Sequence, residues 1–467
     1  MTSATTSKSA IGPKQFALAG GPALALMAAY LMFSVGFSSA AAITGGITVI
    51  CVVWWVFEPI PLPATSFIPL ALFPLLGVLT PTEVAQSYGN SLILLLLGGF
   101  ILATAIEKNG AHRRIALAMV RAFGGTSSRR LVFGFMAASA ALSMWISNTA
   151  TTLMLLPVAL AVVEKSEDPE LATPLLLGIA YAASIGGIGT PIGTPPNVIF
   201  MGVYEATTGS SIPFITWMSW AVPIVLVFLP IVAIYLTRKL SHTGTVTLPE
   251  VGSWQTAEVR VLMVFAATAF FWITRKQPFG GWSELFDLSA SNDAMVALIA
   301  VVVMFLVPDG KGNKLLDWET AERIPWGMLI LFGAGITIAS AFTASGLSEI
   351  VGSALSGLSE WPLLPILFVI CLTVTFLTET TSNTATTTLL MPILAAVAIG
   401  AAIDPKLIMI PAAMSASCAF MLPVATAPNV IMFSTERFTI ATMAREGFAL
   451  NLIGAIIISV GCYLLLT

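Results

Sequence analysis

Charge is what this 467-residue chain has least of: 9% of its residues are Asp, Glu, Lys or Arg, against 57% apolar. That is about a third of the usual charge of a soluble domain. With a mean hydropathy of +0.94, it excludes an ordinary water-soluble protein. Histidine is almost missing too: His112 and His242 both fall in stretches read as basic polar loops, so a histidine-based catalytic or metal site is excluded. The four cysteines, Cys51, Cys371, Cys418 and Cys462, stand singly inside apolar runs, without metal or redox spacing. They read as small apolar packing residues. Neither His-Glu-x-x-His nor Gly-x-Ser-x-Gly occurs, and no paired carboxylates lie within an apolar run, so an enzyme would lack a catalyst. Nothing resembles a nucleic-acid interface.

What is present is hydrophobic length. Spans of about 20 apolar residues recur at roughly 16–36, 40–57, 60–79, 91–107, 213–237, 256–274, 289–307, 326–343 and 440–466. The first is too long for the core of a cleaved signal. Two further spans, 171–202 and 406–433, are broken in the middle. Residues 131–163 and 362–402 each read as two short arms meeting at a polar point, and fit re-entrant helical hairpins.

Those polar points are repeated. Ser147-Asn148-Thr149-Ala150-Thr151-Thr152, running on to Pro157, returns as Ser382-Asn383-Thr384-Ala385-Thr386-Thr387, running on to Pro392. Eight of the eleven positions are identical at an offset of 235 residues. Each copy is followed by a proline-rich break, Pro191–Ile199 and Pro423–Ile431, with asparagines 49 and 46 residues downstream of the first. Ordered motifs at matched spacing mark an internal duplication. Polar, proline-broken elements paired in two apolar halves are the sequence pointer to a transporter's binding site.

Charge assigns the sides. With a cytoplasmic N-terminus and non-crossing hairpins, seventeen Lys and Arg fall inside, while only Arg275, Lys276 and Lys406 fall outside. This positive-inside bias predicts eleven spans, an external C-terminus, and hairpins that enter from opposite faces as an inverted repeat. Reading each hairpin arm as a full span leaves the topology elsewhere unchanged, so charge is compatible with both.

At a hairpin tip one arm ends in free carbonyls and the next begins with free amides. Hydroxyl and carbonyl oxygens suit a small hard cation, and amides at a helix start suit an anion. Gly193 permits close backbone approach, and the prolines free carbonyls. One tip facing one break in each half predicts two pseudo-symmetric cation sites with an anion between. No Lys, Arg or His is expected in that pocket, the nearest being Arg129, Arg130 and Lys165. Glu379, an acid at membrane depth whose counterpart is Met144, braces the second hairpin or takes part in cation or proton coupling. Trp54, Trp55, Trp217, Trp220, Trp326 and Trp361 lie near span ends and read as interface anchors.

The paired Ser-Asn-Thr hairpins, the Gly193-Thr194-Pro195-Pro196-Asn197 break and the early Trp54-Trp55-Val56-Phe57-Glu58-Pro59-Ile60-Pro61 resemble the divalent-anion/sodium symporter family over essentially the whole chain. The resemblance implies an all-α polytopic fold of about eleven transmembrane helices plus two re-entrant hairpins. It implies a homodimer in the inner (plasma) membrane, each protomer having a scaffold and a transport domain that moves as an elevator. The chain then divides into a polar tail (1–14), scaffold (15–125 and 251–357) and transport domain (126–240 and 358–467). Activity would be sodium-coupled symport of C4-dicarboxylates such as succinate, malate or fumarate. The alternatives are an exchanger, or a sodium-coupled sulfate or citrate transporter. Carried over by motif, Ser143, Ser147, Asn148 and Gly193 would hold one sodium ion, and Thr378, Ser382, Asn383 and Ala425 a second. Asn148, Thr149, Asn383 and Thr384 would bind substrate carboxylates, with Thr194, Pro195 and Thr426 nearby. Ala427 departs from the pattern, standing where the first half has Pro195.

Overall fold

The computed structural model describes residues 13–123, 127–166, 168–240, 252–276, 280–354 and 361–467. Residues 1–12 of the polar tail, His242, and the domain-boundary positions 125, 126, 251, 357 and 358 lie outside the described residues. Among the described residues all regular structure is helical, save one isolated bridge between Pro308 and Lys314. This follows from the solvent: in hydrocarbon a helix satisfies every backbone group within its own segment.

The chain opens with α1 (Pro13–Ser34) and α2 (Ser39–Phe57), tied by Trp54 Nε1 donating to the Ala17 carbonyl at 2.9 Å. The span expected at 60–79 is instead two short helices, α3 (Leu62–Thr65) and α4 (Phe67–Leu75). Prolines at 61, 63, 69 and 74 withhold the donors that a longer helix would need. A Thr80–Glu83 capping box starts α5 (Pro81–Tyr88), and α6 (Ser91–Lys108) follows. The basic connector is not a loop but the amphipathic α7 (Ala111–Phe123), which buries Ala111, Ala116, Leu117 and Val120. His112 sits on this helix, and burial pushes its imidazole below the ordinary value.

The first hairpin is α8 (Ser128–Ser143) and α9 (Asn148–Lys165). The helices α10 (Ala172–Gly187) and α11 (Pro195–Thr208) flank the first break, and α12 (Phe214–Leu236) returns. Then come α13 (Thr256–Ile273), the short α14 (Gly281–Leu285), α15 (Asp293–Leu306), the short α16 (Trp318–Ala321), α17 (Trp326–Ala344) and α18 (Leu347–Ala354). The second hairpin is α19 (Leu363–Thr378) and α20 (Asn383–Gly400). The second break lies between α21 (Pro405–Ala416) and α22 (Ala427–Phe433), and α23 (Ile440–Leu466) closes the chain. Among the described residues eight helical stretches are long and apolar enough to cross a membrane, with four shorter apolar helices beside them.

Burial grades inward. Leu26, Tyr30 and Phe33 of α1 are exposed, as lipid-facing side chains would be. By contrast α10 is buried from Pro174 to Gly187, and α21 from Ile408 to Ala416. Protein therefore surrounds both helices that lead into a break, the one setting in which irregular backbone is tolerated at membrane depth. A Cβ at Gly186 would lie 2.2 Å from the Ala140 carbonyl oxygen, so the α8–α10 contact requires glycine there. Within each half the broken helix packs on its own hairpin's first arm, α10 on α8 and α21 on α19. Across the halves α11 packs on α20, and α22 on α9.

Two of the expected interface tryptophans are core residues. Trp55 is buried and donates to Ser66 Oγ at 3.3 Å; Trp217 is buried and donates to the Ile188 carbonyl at 2.9 Å. Trp326 and Trp361 are exposed. Each of the four cysteines is free and buried. Ion pairs staple helix ends to one another. Arg114 binds Glu258 at 2.8 Å, and Arg275 binds the buried Asp293 at 2.5 Å.

Candidate functional site

Each hairpin turns at its polar point. Ser147 caps α9 by accepting from the Ala150 amide at 3.2 Å, and Ser382 caps α20 by accepting from that of Ala385 at 3.5 Å. Five residues before each asparagine stands a buried hydroxyl. Ser143 Oγ donates to Asn148 Oδ1 at 2.5 Å, and Thr378 Oγ1 donates to Asn383 Oδ1 at 2.8 Å. One turn further, Thr152 and Thr387 donate to the carbonyls of Asn148 and Asn383, both at 2.7 Å. The duplication read from letters is thus repeated bond for bond.

The breaks match as closely. Asn197 Nδ2 donates to the carbonyls of Gly187 at 3.0 Å and Thr190 at 2.7 Å, ten and seven residues upstream. Asn429 Nδ2 donates at the same offsets, to Ala419 and Leu422, both at 3.0 Å. These buried amides replace helix bonds lost where the backbone unwinds. At Gly187 and Gly193 the first break leaves no room for a side chain. A Cβ at Gly193 would lie 2.5 Å from the Gly187 oxygen, and one at Gly187 would lie 2.8 Å from Asn148 Oδ1 and 3.2 Å from the Gly193 oxygen.

The bracing differs between halves. Thr190 Oγ1 donates to the Met144 carbonyl in the first. In the second, Glu379 accepts from the Phe420, Met421 and Leu422 amides at 2.7, 2.9 and 3.0 Å, and from Asn451 Nδ2 at 2.8 Å. Four donors satisfy this buried carboxylate, which is the bracing role, applied to the break rather than to the hairpin alone.

Both tips and both breaks line one cavity of about 650 Å³. Ser147, Asn148, Thr149, Gly193, Thr194 and Pro195 reach it from the first half, and Ser382, Asn383, Thr384, Ala425 and Thr426 from the second. Ser143 and Thr378 lie behind that wall, fully buried, and touch it through the asparagines. One expectation fails at the mouth, where Lys14 and Glu58 also line the cavity. Lys14 is the second residue of α1, and no local pattern announces that the helix start returns to the site.

Several residues that build the site carry no motif of their own. Trp217 holds the first break at Ile188, and Tyr181 of α10 donates to the Phe420 carbonyl at 2.7 Å, tying one break to the other. Asn451 supports Glu379 from α23. The paired Asn-Val-Ile after each break was the one available signal, and it marks Asn197 and Asn429.

The chemistry on offer has two parts. Hydroxyl, side-chain carbonyl and backbone carbonyl oxygens gather around Asn148 and Asn383, a donor set suited to a hard monovalent cation. Beside them α9 and α20 present their first amides, at Asn148, Thr149, Asn383 and Thr384, where no protein acceptor is bonded among the described residues. Ala427 adds an N–H that Pro195 denies the first break. Helix starts of this kind favour anions.

A family model described as the sodium:sulfate symporter transmembrane region matches residues 22–465. The sodium-dependent dicarboxylate transporter SdcS of Staphylococcus saprophyticus is 39% identical over 95% of this chain and 90% of its own. The protein of that name from Staphylococcus aureus is 39% identical over 89% of this chain and 84% of its own. Among solved structures, the YdaH transporter of Alcanivorax borkumensis aligns with a TM-score of 0.60 at 15% identity, covering 89% of this chain and 97% of that one. MtrF of Neisseria gonorrhoeae aligns at 0.55 and 13% identity, covering 83% of each chain. These two likenesses speak to the fold. With all but its ends inside the family match, the chain belongs to the sodium:sulfate symporter family of membrane transporters.

Proposed function

We propose that this protein is a sodium-coupled symporter of C4-dicarboxylates such as succinate, malate or fumarate. The observation that carries the reading is the convergence of two equivalent tips and two equivalent breaks on one cavity, each half pairing an oxygen cluster with free helix-start amides. One sodium ion belongs with Ser143, Ser147, Asn148 and Gly193. The other belongs with Thr378, Ser382, Asn383 and Ala425. A dianion lies between them, held by Asn148, Thr149, Asn383 and Thr384, with Thr194, Pro195 and Thr426 closing the walls. Two sodium charges then neutralise two carboxylates, which lowers the cost of holding a dianion away from water. The names of the similar staphylococcal proteins favour dicarboxylate over sulfate.

The shared cavity also supports re-entrant hairpins. If every arm crossed fully, the two tips would sit at opposite membrane faces, about 30 Å apart. Lys14, Glu58 and Pro325, at the mouth, fall on the side that charge makes cytoplasmic, so the cavity opens inward. Transport follows as an elevator: hairpins and broken helices (126–240, 358–467) carry the site across a scaffold (15–125, 251–357) within a homodimer. The N-terminus is cytoplasmic and the C-terminus external.

The test is uptake of labelled succinate into proteoliposomes under an imposed sodium gradient. Uptake should be sodium-dependent and rise more than linearly with sodium. Equal uptake with choline in place of sodium overturns symport in favour of exchange.

A further inference from the structure

Away from the central cavity, a groove of about 590 Å³ runs between the end of α7, the start of α8 and the end of α12. Three guanidinium groups line it, those of Arg129, Arg130 and Arg238, and among the described residues no carboxylate does. Their partners differ. Arg238 is already balanced, binding Glu446 at 2.6 Å and stacking on Tyr235 at 4.0 Å. Arg129 gives Nε to the Leu240 carbonyl at 2.6 Å, a neutral acceptor that leaves its charge uncompensated. The Arg130 guanidinium has no bond among the described residues. The groove thus carries two unbalanced positive charges.

Its floor is of the opposite character. Phe133 lies one turn into α8 beyond Arg129, and Ile234 lies one turn into α12 before Arg238. Since i and i+4 share a helix face, both helices present the same stack, a guanidinium at the end and an apolar side chain one turn deeper. Ile234 is 70% exposed on a helix apolar enough to span, so the floor opens toward lipid.

We propose that this groove binds an anionic phospholipid, its phosphate between Arg129 and Arg130 and the start of an acyl chain over Phe133 and Ile234. Charge alone would suit any phosphate, but a free ion would leave the apolar floor wet, whereas an amphiphile matches both levels. Because α8 is the first arm of the hairpin that ends in Ser143, the lipid contacts an element of the binding site.

Full-length protein purified in mild detergent, offered phosphatidylglycerol or phosphatidylcholine and read by native mass spectrometry, should retain phosphatidylglycerol selectively. Arg129→Gln with Arg130→Gln should weaken that retention by about five-fold per arginine, at an unchanged melting temperature. Should the double variant misfold, Arg130→Gln alone gives the measurement, because that side chain holds nothing in the fold. Equal retention by wild type and variant overturns the site. Displacement of the lipid by millimolar inorganic phosphate overturns the lipid in favour of a soluble anion. Neither readout depends on transport, so this inference fails separately from the assignment of substrate.

Discussion

Thr378 Oγ1 lies 2.8 Å from Asn383 Oδ1 and also 3.1 Å from the Ala416 carbonyl. A hydroxyl has one proton, and here it faces two acceptors. Three oxygens share a single hydrogen, an electron-rich cluster that a cation completes. Thr378→Val keeps the shape and removes the oxygen. It should raise the sodium concentration for half-maximal uptake about tenfold, equivalent to roughly 1.4 kcal/mol, while Thr378→Ser should stay near wild type. Asn148→Ala and Asn383→Ala should each abolish uptake in protein that still folds, since each asparagine serves cation and carboxylate together. Sodium activation curves in proteoliposomes check all four. Unaltered sodium dependence in Thr378→Val returns the hydroxyl to a structural cap.

Two adjacent glycines should fail in different ways. Alanine at Gly186 would drive its Cβ to 2.2 Å from the backbone oxygen of Ala140, so Gly186→Ala should express poorly or melt early. At Gly187 the closest atom is the side-chain Asn148 Oδ1 at 2.8 Å, which rotates away more readily than a helix backbone moves. Gly187→Ala should therefore fold, yet lose sodium-dependent uptake. Thermal melts beside uptake separate the two, and normal transport in Gly187→Ala would remove the oxygens near Gly187 from the cation site.

The contrast shows what was legible in the letters and what was not. Ser-Asn-Thr and the asparagines of the breaks could be read because the duplication printed them twice, at equivalent places in each half. Trp217, Tyr181 and Asn451 are equally needed, but their partners lie 29, 239 and 72 residues away. A contact over that distance leaves no periodicity. Trp217 was misread as an interface anchor for a related reason: its place near a span end is local, while its burial is decided by α10 packing beside it. The single span expected at 60–79 missed the combined effect of four closely spaced prolines.

Both carboxyl oxygens of Glu379 are bonded as acceptors. In Glu379→Gln an NH2 group would have to face backbone N–H donors, leaving buried donors opposed and unpaired, at a cost of about 1–3 kcal/mol for each unsatisfied group. The variant should melt several degrees below wild type. Glu379→Asp should not rescue it, since the shorter arm cannot span Phe420 to Leu422 and Asn451 together. Wild-type stability in Glu379→Gln would show that the carboxylate is dispensable to the break, and would reopen a coupling role.

The sidedness of the hairpins can be read by labelling. In a background with the four buried cysteines replaced, single cysteines at Arg129 and Lys165 should react only with reagent on the cytoplasmic side, and one at Lys406 only from outside. Both ends of a re-entrant hairpin must share a face. Labelling of positions 129 and 165 from opposite sides would remove the first hairpin, and the inverted repeat with it.

The charge of the carried species follows from what lines the cavity. Hydroxyl, amide and backbone groups line it at the tips and breaks among apolar side chains such as Ile192 and Trp145, and among the described residues its charged lining groups are Lys14 and Glu58. That pair is formally neutral, so the charge of a bound substrate has to be met by sodium and by helix starts worth roughly half a charge each. A dianion between two sodium ions is close to neutral. A trianion leaves a charge over, at a cost of several kcal/mol in a dry site. A monocarboxylate leaves one set of amides unpaired, a loss of about 1–3 kcal/mol. Succinate should therefore compete with labelled succinate far better than butyrate does. Citrate should compete mainly below about pH 6, where its doubly charged form is common. Lys14→Gln should slow capture from the cytoplasmic side without altering this ranking, since the lysine stands at the mouth rather than between the hairpin tips. If fully ionised citrate or sulfate is the stronger competitor at about pH 7.5, the dicarboxylate assignment falls while the sodium sites stand, because the charge balance is then being made by groups other than those around Asn148 and Asn383.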